Sequence, residues 1–371
     1  MKIKILQVST FYPEYLEYHY QKYPDLQYKS YTIQIQSLLR DGFSANNIVI
    51  PYLPQKKYSS ELVIANNKYS QAKWKQENQI NVSNTKEWCF EYLQKQIERI
   101  KPVILYIADP IKFDHSFLKR IKWRPKLIIG WRSSTIKKST DWCDYNIILS
   151  HLKYCLNKAV LIGANSSEYM LPGFSKSILK QIKQDIKKWD FIFTGHVMHL
   201  HKKRNKYLVE LANYFENKPE VISAYFVGKR KIALPPNLPT NIFGPLWGLE
   251  MYQEIQRAKI VINVDIDLAE EAGNFRLFEV TGMGSFLLTE YHPNIEKLFK
   301  PGVEIETFKD SNELISKVQY YLANPDKRKA IARRGQDRCF RDHLMENRIK
   351  TFDRIVDKHM CVNNGVREKL I

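Results

Sequence analysis

Short, almost wholly apolar runs alternate along this chain with longer stretches of helical periodicity. That rhythm constrains the fold more than any other feature. Residues 4–9, 47–52, 103–108, 127–131, 146–149 and 160–162 read as strands, apolar enough to be buried on both faces. Between them, 32–39, 86–100, 116–121 and 151–157 read as helices; Trp88, Tyr92, Leu93 and Ile97 fall near helical spacing. Strand–helix alternation of this kind predicts an α/β domain with a mainly parallel sheet.

The rhythm restarts after a turn-rich stretch at 165–175, the best candidate linker. Strands are expected at 191–194, 224–227, 241–243, 260–264, 286–289 and 304–307. Helices are expected at 206–215, 249–258, 275–281, 295–299 and 311–323, and a basic helical tail at 325–358. At roughly 100–200 residues per domain, 371 residues suit two. The expected boundaries are 1–170, 171–345 and a tail, 346–371, able to cross back to the first domain. Two Rossmann-like, doubly wound domains facing a central cleft would present strand C-terminal ends to it, where ligands bind such sheets. Helix N-termini there offer N–H groups and a positive dipole end to phosphate.

Charge agrees with an anionic ligand. Lys and Arg number 58 against 39 Asp and Glu, a net charge of +19. A bias toward Lys across the whole composition explains part of it equally well. Hydrophobic residues at 44% argue against a mainly disordered chain. The five cysteines are scattered with no CxxC pair, which removes zinc-ribbon and redox motifs and suits free thiols in a reducing cytoplasm. The first residues lack a long apolar core and cleavage site, and no apolar run approaches ~20 residues, so neither signal peptide nor membrane span is expected.

The most informative segment is 270–289, read as loop, helix, Gly-rich turn and strand. Glu271 and Glu279 stand eight apart, an E-x7-E spacing that is weak alone. Glu296 and Glu304 repeat it, but Pro301-Gly302 interrupts that stretch. The context resembles the C-terminal domain of group 1 glycosyltransferases of the GT-B fold, and the branch typified by the spore maturation protein CgeB most closely. The marks are Asn274-Phe-Arg-Leu-Phe-Glu279, Gly282-Met-Gly-Ser-Phe-Leu-Leu-Thr289, the Leu298-Phe-Lys-Pro-Gly302 turn, Tyr321-Leu-Ala-Asn-Pro325 and Ile331-Ala-Arg-Arg-Gly335. Upstream, Asp190-Phe-Ile-Phe-Thr-Gly195 and His201-Lys-Lys-Arg204 fit the same pattern. The likeness covers about 186–345; the first half shares only the strand–helix rhythm.

The resemblance implies a nucleotide-diphosphate sugar as donor. Glu279 would hold the ribose hydroxyls, two of which one carboxylate can accept. Glu271 would lie near the donor sugar, with Glu270 leaving the alignment ambiguous by one residue. Gly273, Asn274 and Phe275 would bring backbone N–H groups to the diphosphate, although Asn274 is equally a helix cap. Arg276 could pair with phosphate oxygens or with a neighbouring acid. Lys202 and Arg204, with Lys203 between them, would neutralise the leaving diphosphate. Gly195-His196 replaces the family's usual Gly-Arg, which shifts weight from His196 to that basic run. Pro245 and Leu246, after a short strand, would face the base.

Such transfer stabilises the leaving group with basic side chains and helix N–H groups, without metal or organic cofactor. Asp265-Ile-Asp267 has metal-binding spacing but lies where it could contact sugar hydroxyls instead. The first domain should carry the acceptor, a glycan or lipid-linked hydroxyl of a cell-surface polysaccharide or glycoconjugate. Asp109, His151 and Arg132 are candidates at its strand ends, and the Tyr-rich loop 11–31, with Glu14 and His19, could stack on sugars. The E-x7-E likeness favours retention of configuration; inversion with Asp109 as base stays open. A cytoplasmic enzyme is expected, with an anionic membrane surface as a further partner for basic patches such as Lys327-Arg-Lys329 and Arg333-Arg334. A basic nucleic-acid-binding protein is one alternative, without a recognisable motif. A non-catalytic GT-B scaffold with a relict nucleotide site is the other.

Overall fold

A computed structural model describes residues 2–81, 86–199, 201–216, 218, 220–230, 241–268 and 270–367; of 229–230 and 362–367 only the backbone is described. The chain divides into two compact units, Met1–Leu171 with Met345–Ile371, and Pro172–Leu344.

The first unit holds β1 (Ile3–Ser9), β2 (Tyr58–Ile64), β3 (Ile104–Ile107), β4 (Leu127–Trp131), β5 (Ile147–Ser150) and β6 (Ser167–Tyr169) in one parallel sheet, in the order β2-β1-β3-β4-β5-β6. Its helices are α1 (Pro13–Lys22), α2 (Tyr31–Asp41), α3 (Lys68–Glu77), α4 (Trp88–Ile100), α5 (His115–Leu118) and α6 (Lys153–Leu161). Local chemistry sets their ends. Ser30 accepts the Ile33 N–H to start α2, and Gly42, at φ 75°, stops it in the left-handed region that glycine adopts freely.

The second unit holds β7 (Trp189–Val197), β8 (Ser223–Arg230), β9 (Ile242–Phe243), β10 (Ala258–Asn263), β11 (Phe286–Glu290) and β12 (Glu306–Phe308), again all parallel, ordered β12-β11-β10-β7-β8-β9. Its helices are α7 (Lys202–Glu216), α8 (Gly248–Arg257), α9 (Phe275–Gly282), α10 (Ile295–Leu298), α11 (Ser311–Ala323) and α12 (Pro325–Asp342). Phe191, Phe193, Ile260, Ile262 and Leu288 of the sheet bury against Leu208 and Leu211 of α7 and Leu314 and Val318 of α11. This is the dinucleotide-binding strand order, which reverses between β7 and β10. In the first unit the reversal falls between β1 and β3.

The final helix, α13 (Met345–Arg367), belongs to the first unit. Lys57 reaches Asp353 at 2.8 Å and Asp357 at 2.7 Å, and Glu168 holds Lys358 at 2.6 Å. The expected single tail helix is therefore two, parted at His343–Leu344. Within α12, Lys327, Lys329, Arg333 and Arg334 are exposed, whereas Arg328 is buried against the Tyr321 carbonyl. Among the described residues no helix is long and apolar enough to cross a membrane.

Three expectations in the first half fail. Residues 47–52 end in a 3-10 turn, because Pro51 has no N–H for a ladder, and the strand beside β1 is β2. Residues 160–162 end α6, with Leu161 83% exposed, and the edge strand β6 follows later; three apolar residues carry no periodicity that could separate the two. The loop expected at 11–31 is mostly helix. Pro13 opens α1, whose Tyr15, His19 and Tyr20 are interior, leaving Tyr12, Tyr23 and Tyr28 exposed.

His19 carries a consequence for stability. It is buried beside Ser37, with Nε2 3.0 Å from Oγ, and burial, helped by Lys22, lowers its pKa from 6.5 to about 4. The unfolded chain takes up this proton below pH ~6.5 and the native chain only near 4, so stability falls as pH drops across that window. The full effect is on the order of 3 kcal/mol. Urea titrations at pH 7 and pH 4.5 should show a loss that shrinks in His19→Gln; an equal loss in both would assign it to other groups.

Candidate functional site

The sheet order of the second unit directs attention to the C-terminal ends of β7 and β10, where a crevice opens in folds of this type. A bulge between Gly195 and Val197 ends the regular pairing of β7 with β8. The His196 ring lies over Gly228 of β8 so closely that a Cβ there would stand 2.5 Å from its Nδ1. Arg204, from the first turn of α7, spans the reversal. Its Nη1 donates to the His196 carbonyl at 2.9 Å, and its Nη2 donates to the Val264 carbonyl at 2.8 Å. Burial lowers its pKa from the ordinary value, against the pull of Asp265 and Asp267. Three of its five N–H groups thus hold backbone, so its first role is to tie the two strand ends together.

The residues of the Asp265-Ile-Asp267 pair part company. Asp267 accepts the Lys202 N–H at 2.8 Å and occupies the start of α7. Lys202 itself is exposed. Asp265 is buried and stands 3.0 Å from His292 Nε2.

Beyond β10 the loop returns to α9. Asn294 pins it, donating to the Ala272 carbonyl at 2.9 Å and accepting the Ala272 N–H at 2.8 Å. Gly273 follows at φ 151°, a backbone region that side chains disfavour. Asn274 caps α9, accepting the Leu277 N–H at 3.1 Å. Its amide also pairs with Asn263 at the end of β10, at 2.9 Å, and Asn263 donates to Thr289 at 2.9 Å. The cap is thereby fixed to two strands, which holds the free N–H groups of the helix start in place. Phe275 is half-buried and Glu271, in the loop, half-exposed.

Arg276 and Glu279, one turn apart on α9, form a buried ion pair through Nη1 and Oε2, and Tyr252 of α8 donates to Glu279 Oε1 at 3.2 Å. Arg276 also reaches Met251 Sδ at 2.9 Å and, at 3.5 Å, the Thr194 carbonyl of β7; its Nε is buried without a hydrogen bond. Glu279 keeps acceptor capacity, since a carboxylate offers about four lone-pair positions. Pro245 and Leu246 follow β9, the first exposed and the second half-buried, before Trp247 leads into α8.

His196, Arg204, Asn274, Arg276 and Glu279 are therefore brought to the strand ends of one sheet. Sequence reasoning missed Tyr252, Asn263 and His292. Only Asn263 left a signal, as a polar residue inside an otherwise apolar expected strand, 260–264.

Asp109 and His151 belong to the other unit. Asp109 follows β3 at that sheet's own reversal and accepts Thr10 Oγ1–H, from the end of β1, at 2.8 Å. His151 follows β5, is buried, and stands near the Trp131 ring at 6.4 Å. Arg132, after β4, has its pKa lowered by burial, opposed by Asp109.

Residues 197–354 match a family model described as glycosyl transferase-like. No curated protein matches the chain in sequence. Among solved structures, the chain is similar to Anabaena HepE in complex with UDP-glucose, at 11% identity and a TM-score of 0.58, over 96% of this chain and 100% of that one. It is similar to a glycosyltransferase from Rickettsia africae, at 10% identity and 0.54, over 97% and 99%. It is also similar to sucrose-phosphate synthase from Thermosynechococcus elongatus, at 8% identity and 0.53, over 97% and 100%. The fold is GT-B, and the chain carries a glycosyl transferase-like segment within it.

Proposed function

We propose that this chain is a glycosyltransferase of the group 1 type, in the branch typified by CgeB, using a nucleoside diphosphate sugar bound to the Pro172–Leu344 unit. The observation that carries the reading is the joined set at the strand reversal: the Asn274-capped start of α9, with Arg276 and Glu279 on its first two turns. The diphosphate would meet the N–H groups at Gly273–Phe275, with Lys202 available from α7. The ribose hydroxyls would donate to the remaining lone pairs of Glu279. UDP-sugars are the first donors to consider, because HepE is seen with UDP-glucose.

In the reaction the bond between the anomeric carbon and the diphosphate oxygen breaks, and a bond to the acceptor oxygen forms. Negative charge grows on the leaving diphosphate, and a fixed helix terminus stabilises it without reorganisation. The acceptor is a hydroxyl of a glycan or lipid-linked glycan, and retention is the favoured outcome. Glu271 would lie near the donor sugar. Asp109 and His151 are the acceptor-side candidates, with Asp109 the base if configuration inverts.

One observation favours a relict scaffold as the second reading: both Glu279 oxygens are already engaged by Arg276 and Tyr252. Release of nucleoside diphosphate from UDP-, GDP- and dTDP-sugars, with mixed glycan acceptors, separates the two. Acceptor-dependent release from one donor supports transfer. Tight binding of a nucleotide without release from any sugar would support the relict site.

A further inference from the structure

Among the described residues, one fully buried group of metal-competent side chains is not used by the proposed donor site. Asp265 follows β10, Glu290 ends β11, and His292 lies two residues further; each is 5% exposed or less. His292 Nε2 stands 3.0 Å from Asp265 Oδ2 and 3.8 Å from Glu290 Oε2, and the three donor atoms all lie within 4.8 Å of one another.

One atom of this group has no hydrogen bond in the protein: Glu290 Oε2 is buried and faces His292 Nε2 at 3.8 Å, while His292 Nε2 itself is paired with Asp265. Lys203 meets Glu290 Oε1 and the buried Arg204 guanidinium lies near both carboxylates, so the feature the protein leaves open is one of geometry, the uncovered Glu290 Oε2.

We propose that Asp265, Glu290 and His292 form a divalent-cation site in the Pro172–Leu344 unit. Two donors each about 2.0–2.1 Å from one ion stand roughly 2.9–3.4 Å apart at angles between 90° and tetrahedral. The 3.0 Å separation lies inside that range and the 3.8 Å separation needs a few tenths of an ångström of closure. One imidazole with two carboxylates suits Zn²⁺ or Mn²⁺ rather than a soft, thiolate-seeking ion. The ion would bind the ends of β10 and β11 together, beside Asn263 and the cap of α9. It leaves the transfer chemistry as described and requires no nucleotide. The Asp265-Ile-Asp267 spacing thus offers one ligand, not two, because Asp267 is committed to α7.

The other group of this kind, His115, Asp141 and Cys143, serves as the internal control: Asp141 and Cys143 are exposed, and His115 Nδ1 is already held by Asp144 at 2.7 Å. The full-length chain is dialysed against Zn²⁺ or Mn²⁺ alone and its metal content measured. About one equivalent is expected in wild type and in His115→Ala, with affinity at least tenfold weaker in Asp265→Asn and His292→Gln. Mn²⁺ should also broaden the His292 ring resonances of the wild-type protein while sparing His115, a readout that needs no variant to fold. Absence of bound metal in wild type, unchanged binding in both site variants, or broadening at His115 in place of His292 would each overturn the site.

Discussion

Glu279→Ala is expected to abolish nucleotide binding and to cost the protein about 3–5 kcal/mol of folding stability. Both effects have one origin. The Arg276 and Glu279 side chains are 16% and 8% exposed and satisfy each other's charge. Removing the carboxylate strands a guanidinium whose Nε already lacks a partner, and takes the acceptor from Tyr252. Uncompensated buried charge is the expensive outcome when half of such a pair is removed. Glu279→Gln separates the roles. An amide oxygen still accepts from Tyr252, so folding should suffer less. Ribose hydroxyls lose a charged acceptor, and a hydrogen bond to a charged group is worth about 1.5–3 kcal/mol, roughly tenfold or more in affinity. Chemical denaturation gives the first quantity and calorimetric titration with nucleotide the second. A Gln variant that binds as wild type does would remove Glu279 from the ribose role and leave it a purely structural partner of Arg276.

Gly335→Ala should destabilise the second unit by at least about 2 kcal/mol, although alanine is the better helix former by about 1 kcal/mol. Gly335 lies in α12, where a Cβ would stand 2.2 Å from the Glu304 carbonyl oxygen. That neighbour is backbone, held in the turn where the Gly302 N–H donates to the Ile305 carbonyl at 2.8 Å, so it cannot swing aside as a side-chain tip would. Relief requires α12 to lift from α9, which it packs against near Thr281. The companion variant is Gly244→Ala, where an added Cβ meets nothing within 4 Å, and its effect should stay within about 0.5 kcal/mol. Urea midpoints of the two variants measure the contrast. Equal small losses would mean that α12 yields to the extra methyl without strain.

The second example also shows what was legible in the sequence. Gly335 belongs to a motif that resembled a known family, and the structure supplies the physical reason for a glycine there, a close helix–backbone approach. In the second unit every expected strand lies on or within two or three residues of an observed one, because β7, β8, β10 and β11 each carry an unbroken run of three or four buried apolar residues. The first unit was harder. Its edge strand β2, Tyr-Ser-Ser-Glu-Leu-Val-Ile, is half polar since one side meets solvent, and α3 buries only Ser70, Gln71 and Trp74. Neither has the apolar periodicity on which a reading depends.

The site divides the same way. Asn274 as a helix cap, and α9 as the bearer of Arg276 and Glu279, could be read locally, since both depend on residues within one or two turns. Arg204 reads in the sequence as a phosphate ligand, and the structure adds a role the sequence does not show: its side chain donates to the His196 and Val264 carbonyls. That role depends on a residue 60 positions away and leaves no local trace. The same holds for Tyr252, from a different helix, and for the meeting of Asp265 with His292 across neighbouring strand ends.

The central claim is that the Pro172–Leu344 unit binds a nucleoside diphosphate through the start of α9. It is tested most directly by heat denaturation of the wild-type chain with UDP, GDP, dTDP, ADP and CMP, and of Glu279→Gln with the same set. A nucleotide at about 100 times its Kd adds roughly 2.7 kcal/mol to the native state. The account predicts a rise in Tm with one nucleoside diphosphate, UDP first among them, that is sharply reduced in the variant. No rise with any of the five, or an equal rise in wild type and Glu279→Gln, would contradict it.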